Sequence, residues 1–346
     1  MGLQGLWYTS LILSAISLAI MSWLIAARLV AERKGQRVAG ERARLLALLL
    51  EPDADPQGLT NSSLSRPLLA DLSVELIQLV RGEERDQMVA AAGRLGVAAT
   101  IRKRLSARSP RVRVLAAESL AFFPDTESTA ALERALGDRN PDVRLAAALG
   151  LAVSGRSPPA RLLIERLRIG SSEQSMLIIN LFQKIASDRP GEIESLITDP
   201  EMPAAVKAAA IDALAGSGDF RLVPVINQLA LATDAESEHL PRYLRALGAF
   251  NHPAGAPAVR RWLNGSTWWV RAAAAEAAGR IGLEELAMPL ADMLSDADWW
   301  VRFRAGEALV RLGNSGVELL AEAAEGASEP ARSAARLTLA EQGIAA

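Results

Sequence analysis

The chain has 346 residues, 50% of them hydrophobic, 4% aromatic and none cysteine, with a formal net charge of −2. Its apolar content excludes a mostly disordered chain, and its Ala- and Leu-rich, aromatic-poor make-up suits close-packed helices rather than sheets. Without cysteine there are no disulfides, zinc-thiolate sites or thiol catalysis, and the near-neutral charge speaks against a protein that coats nucleic acid.

In chain order, residues 1–6 read as a short extracytoplasmic tail and residues 7–30 as a transmembrane helix. From Leu6 to Ala27 no charged residue interrupts the run. At about 1.5 Å per residue it spans roughly 33 Å, enough for a hydrocarbon core of roughly 30 Å. Trp7, Tyr8 and Trp23 stand near its ends, as interfacial aromatics do. A cleaved signal peptide fits less well, since no basic residue precedes the run and no small-residue cleavage site follows it. Arg28, Arg33, Lys34, Arg37, Arg42 and Arg44 all follow the span. The positive-inside rule therefore predicts a single-pass inner-membrane protein whose C-terminal bulk is cytoplasmic. Residues 31–51 are expected to continue as a basic juxtamembrane helix, and the Pro-, Asp-, Gly- and Ser-rich stretch 52–65 to form a linker.

From residue 66 to 346 the chain repeats itself. NPDVRLAAALGLA, TWWVRAAAAEAAGRIG and DWWVRFRAGEALVRLG share one pattern, and its Val recurs at Val112, Val143, Val206, Val270 and Val301, at one or two multiples of about 31 residues. The double gaps hide degenerate units near Gln174 and His239, and a last unit falls near Ala331. Four positions after each anchor stand Ala116, Ala147, Ile178, Ala210, Tyr243, Ala274, Ala305 and Ala335. Eight positions after it stand Leu120, Leu151, Phe182, Leu214, Leu247, Ala278, Leu309 and Leu339. Positions 0, 4 and 8 share one helix face and form a buried stripe. A second apolar pattern, such as ALERAL or LLIERL, follows each anchor by about half a repeat. Each unit is therefore a helical hairpin, and the fold class is all-α, an α-solenoid of about eight units.

Asp or Asn, then Val-Arg, two or three Ala and a Leu-Gly, recurring in register, resembles the HEAT repeat family in its short, phycobilisome-lyase-type form. The resemblance implies that the basic residues after Val, here Arg113, Arg144, Lys207, Arg271, Arg302 and Arg332, form a structural ladder between repeats. Asp138 and Asp296 would be acidic counterparts. It implies an array that binds proteins; with the anchor, an accessory subunit of a bacterial inner-membrane assembly, such as a glycosyltransferase or exopolysaccharide system. Bilin lyase activity and nucleic-acid binding, also found among such arrays, are the alternative readings.

No constellation for chemistry stands out. His239 and His252 lack carboxylates at ligand or triad spacing, and HExxH, GxSxG and GxxxxGK[ST] patterns are absent. No catalytic, cofactor or metal residue is expected, and the partners expected are proteins and, through residues 7–30, the bilayer. Trp268-Trp269 and Trp299-Trp300 are one repeat apart, each immediately before Val-Arg, where other units hold Pro110-Arg111, Pro141-Asp142 or Ala204-Ala205. They close repeat junctions as hydrophobic staples, or they form an aromatic edge. On the second reading Trp262, Trp268, Trp269, Trp299, Trp300 and Arg304 bind the partner, since Trp and Arg are favoured interface anchors.

Overall fold

The computed structural model describes residues 16–18, 20–23, 28, 39–47, 65–169 and 176–343, and every regular element among them is helical. The chain divides into two units, Met1–Ala135 and Leu136–Ala346.

In the first unit, helix α1 (Ser65–Leu79) packs on α2 (Gly82–Arg94) and α3 (Val97–Arg104), and α3 packs in turn on α4 (Pro110–Leu120) and α5 (Thr126–Ala135). Leu69, Leu72, Ile77, Ile101, Leu120 and Leu132 form its core. Each such side chain, taken out of water, contributes about 1.5–3 kcal/mol. Gly96 reverses the chain between α2 and α3 with φ +72°, a left-handed conformation that costs glycine nothing. Residues 39–47 are helical, with Leu45 buried and Arg42 paired to Glu75 at 2.8 Å.

The second unit is two-layered. Its first helices are α6 (Pro141–Val153), α8 (Met176–Asp188), α10 (Ala204–Leu214), α12 (Leu240–Phe250), α14 (Trp268–Ile281), α16 (Trp299–Arg311) and α18 (Glu329–Glu341). Successive members of this set pack on one another. The second helices are α7 (Ala160–Leu167), α9 (Pro190–Thr198), α11 (Val223–Ala232), α13 (Ala256–Trp262), α15 (Ala287–Asp292) and α17 (Asn314–Glu325), and they form the other layer.

The repeat columns account for the packing. Every residue of the eighth-position column is buried, from Leu120 through Phe182 to Leu339. In the fourth-position column the alanines and Tyr243 are buried, whereas Ile178 is half-buried. Val112 departs from the other valine anchors: they are at most 1% exposed, and it is 37% exposed.

Small residues set the spacing between first helices. A Cβ on Gly248 would sit 3.0 Å from Ala277 Cα, and one on Gly279 would sit 2.5 Å from Ala308 Cα. Those glycines occupy one column and those alanines another, so the same backbone contact recurs one repeat apart. Between α16 and α18 the contact changes, and Gly306 faces the Thr338 hydroxyl instead.

Two expectations need correction or limits. The single-pass inner-membrane assignment, with its transmembrane helix at 7–30 and cytoplasmic array, does not stand: no helix among the described residues is long and apolar enough to cross a membrane. Most of 7–30, like the tail at 1–6, lies outside the described residues, as do the greater part of 31–51 and nearly all of the linker 52–65. The anchor near Gln174 also lies outside them, and α8 starts at Met176.

Candidate functional site

The N-termini of α12, α14, α16 and α18 are preceded by four loops that are joined side by side along one edge of the second unit. Thr267 Oγ1, at the start of α14, donates to the Ala235 carbonyl of the loop before α12 (3.2 Å). Arg271 Nη1 donates to the carbonyls of Gly265 (3.0 Å) and Ser266 (3.2 Å) in its own loop. The rest of the Arg271 guanidinium reaches the next loop: Nε to Asp296 Oδ2 at 2.8 Å and Nη2 to Asp296 Oδ1 at 2.9 Å. The Ser295 and Ser328 hydroxyls lie 2.9 Å apart and connect the loops before α16 and α18.

Arginine closes the loops before α14, α16 and α18 in the same way. Arg302 Nη1 donates to the carbonyls of Asp296 (2.8 Å) and Ala297 (3.0 Å), and Arg332 Nη1 to that of Gly326 (2.8 Å). Arg144 does so to Asp138 and Arg139, and in the first unit Arg113 does so to Ala107 and Arg108. The carbonyls lie five and six residues before the arginine, so the planar guanidinium spans a turn that has no helix to satisfy it. Lys207 sits in the same column, and among the described residues its ammonium makes no such bond.

Asp296 is the centre of this arrangement. Burial works against its charge, but the Arg271 hydrogen bonds, the Asp298 backbone N–H and the charges of Arg271 and Arg302 outweigh burial and hold its carboxyl below the usual range.

The tryptophan pairs stand on the first turns of α14 and α16. Trp268 and Trp269 are each 39% exposed, Trp299 47% and Trp300 48%. Within each pair the rings meet edge to face, with centroids 5.7 Å apart in the first and 4.8 Å in the second. Trp299 also stacks on Phe303, one turn further along α16, at 5.2 Å and 12°. That stack borders a cleft of about 260 Å³ between α16 and α18, whose other wall is Pro330, Ala334 and Leu337.

Trp262 and Arg304 are placed differently from the four exposed rings. Trp262 is 7% exposed, and its indole N–H donates to the Ala230 carbonyl at 2.9 Å, joining α13 to α11. It belongs to an apolar stripe with Ala258 and Val259, a spacing of three and four that the sequence already displayed. Arg304 pairs with Glu307 (2.7 Å) and lies 3.8 Å from the buried Glu276, which Arg280 also meets at 3.0 Å. It ties α16 to α14 and its guanidinium lies 5.7 Å from the Phe303 ring.

His239 was not singled out by its spacing. It is the residue before α12, with its Nδ1 buried and without a hydrogen-bond partner, and Arg242 beside it is paired to Asp212 at 2.6 Å. Burial lowers its pKa, assisted by the Arg242 charge and opposed by Glu238. Among the described residues no group of three or more His, Asp or Glu side chains converges as a metal site would.

The model of the family described as HEAT repeats matches residues 98–174, 193–277, 229–309 and 262–340. These stretches take in more than half of the chain, and the protein belongs to the HEAT repeat family. No curated protein matches it. Among solved structures it is similar to Kap121p, at 12% identity and a TM-score of 0.46, over 86% of this chain and 41% of that one. Importin beta matches at 14% identity and a TM-score of 0.45, over 80% and 45%. Human deoxyhypusine hydroxylase matches at 15% and 0.30, over 89% and 97%. The chain thus spans less than half the length of Kap121p or importin beta.

Proposed function

We propose that this protein is a binding scaffold for other proteins, with no catalysis of its own, and that the loop edge of its second unit is where a partner docks. One observation carries the reading. Four indoles, Trp268, Trp269, Trp299 and Trp300, stand between 39% and 48% exposed on adjacent first turns. The equivalent slots before α18 hold Glu329-Pro330, and those before α6 hold Pro141-Asp142, so the repeat folds without aromatics there. Large apolar rings left half-exposed on neighbouring repeats are a liability for a free protein and are accounted for by a surface that a partner covers. Tryptophan anchors such surfaces because it buries much area at little cost in side-chain entropy.

The supporting experiment places a photo-crosslinking amino acid at position 300, and at Arg336 on α18 as a control, in the full chain in the cells that make it. A discrete protein adduct at 300, absent at 336 and lost on Trp269→Ala, is the expected result. An identical adduct pattern at both positions would remove the edge from consideration.

A further inference from the structure

Resting on the reading that this edge is a docking surface, we infer that its occupant is a cationic, arginine-rich segment of the partner protein. The edge combines half-exposed indoles with carboxylates. The loop before α12 carries Asp234, Glu236 and Glu238, all exposed, and Thr267 holds that loop against the start of α14, one residue from Trp268. Asp298 precedes Trp299, where it caps α16 by accepting the Trp300 N–H at 2.8 Å. Glu329 borders the cleft beside Trp299 and Phe303, but it is paired to Arg332 and adds no free charge. Among the described residues, Asp234, Glu236 and Asp298 make no ion pair.

The arginines of the same edge do not cancel this charge where it is exposed. Arg271, Arg302 and Arg332 have their guanidiniums turned into the loops, donating to the carbonyls of Gly265, Asp296 and Gly326. Arg271 is further committed to Asp296, and Arg332 to Glu329. Arg261, at the end of α13, has its guanidinium carbon over the Trp262 ring, 5.1 Å from the centroid.

A neutral or acidic partner segment would gain the apolar contact but leave the carboxylates desolvated and unpaired, at a cost. A guanidinium gains twice. Its face stacks on an indole, worth about 0.5–2 kcal/mol depending on desolvation, and its edge donates two parallel bonds to a carboxylate. Lysine can take only part of this, since its ammonium offers no planar face or fork. The arrangement therefore favours arginine over lysine, and either over a neutral side chain.

The test uses the full chain and three dye-labelled peptides, octaarginine, octalysine and octaglutamate, with binding followed by fluorescence anisotropy at two salt concentrations. The protein variants are Trp299→Ala/Trp300→Ala, which removes ring faces, and Asp234→Asn/Glu236→Gln/Glu238→Gln, which removes charge while keeping polar side chains. Circular dichroism on each shows that the fold is intact. Octaarginine is expected to bind, more tightly than octalysine, with octaglutamate not binding. Each variant should weaken octaarginine by about tenfold, and salt should weaken the wild type more than the charge variant. Absent octaarginine binding, or binding that the charge variant loses and the tryptophan variant keeps, overturns the inference; the latter is nonspecific attraction alone. If octaarginine fails while position 300 still forms its discrete crosslink, the scaffold reading stands and only the cationic partner falls.

Discussion

Arg271 and Asp296 meet through two parallel bonds, Nε–Oδ2 at 2.8 Å and Nη2–Oδ1 at 2.9 Å, and by doing so join two successive repeats across their loops. The same guanidinium still closes its own turn onto Gly265 and Ser266. One side chain thus performs two tasks, one inside its repeat and one between repeats. In a chain whose stability is a sum of unit and neighbour-interface terms, this pair sits on the interface term.

Replacing Arg271 with Ala strands Asp296 and two loop carbonyls, and should cost about 2 kcal/mol of stability. Arg271→Lys should recover only part of it, because a lysine offers neither the fork nor the reach to both loops. Urea unfolding followed by tryptophan fluorescence measures both. Asp296 adds a pH signature. Its carboxyl titrates below its unfolded value, because the Arg271 bonds and the neighbouring positive charges outweigh burial. The stabilisation is therefore complete above about pH 4 and is lost as pH falls through the folded value. Asp296→Asn should be less stable than wild type at neutral pH and should converge on it in acid.

Helix spacing gives a sharper contrast. A Cβ at Gly279 would stand 2.5 Å from Ala308 Cα, and backbone cannot move aside cheaply. Gly279→Ala should destabilise the second unit by about 2–3 kcal/mol. Gly93, within α2, has open space where its Cβ would go. There the alanine restricts the unfolded chain and favours the helix, so Gly93→Ala should stabilise by about 0.5–1 kcal/mol. Hydrogen exchange resolved to α2 and to α14 reads the two opposite signs in the two units.

The sequence declares its helices through residues that must be inside. The eighth-position column from Leu120 to Leu339 is apolar in every unit because each member faces the core, and that regularity carries the fold. The pairing of Arg271 with Asp296 is legible from the resemblance to HEAT repeats, which implies a ladder of basic and acidic columns, and not from burial. Exposure was less legible. Trp262 and Trp268 are six apart in sequence, yet one is buried on the stripe of α13 and the other half-exposed on the first turn of α14. Proximity in sequence does not report which way a side chain turns, whereas the spacing of Trp262 from Ala258 and Val259 does. For Arg304, helical spacing already sets Glu307 on the same face, whereas Glu276 of α14 is brought beside it only by the packing of α16 on α14.

That difference between the tryptophans predicts a split in stability. Trp262→Phe keeps most of the buried area but leaves the Ala230 carbonyl without its donor, at about 1–3 kcal/mol. Trp262→Ala adds a cavity and should cost about 3–5 kcal/mol. Trp300→Ala, at a half-exposed position, should stay within about 1 kcal/mol of wild type. Equal losses at 262 and 300 in thermal melts would mean that the exposed pairs serve the fold rather than a surface.

His239 supplies a second pH window, separate from that of Asp296. Its Nδ1 is buried without a partner at the start of α12, where the positive end of the helix dipole and Arg242 both disfavour a further positive charge, while Glu238 at 3.8 Å favours it. Burial is the largest contribution, and the folded pKa lies below the ordinary histidine value. In the unfolded chain the imidazole takes up its proton at about pH 6.5, before the folded chain does. The unfolded state thus binds more protons between those two values, and stability declines as pH falls through the interval. His239→Gln removes this titration and should flatten the decline that begins below about pH 6.5, leaving the acid transition governed by carboxylates such as Asp296 untouched. Urea midpoints collected from pH 8 to 3 separate the two. If the variant's slope just below about pH 6.5 equals that of the wild type, His239 does not contribute to this decline, and any loss of stability there belongs to another group.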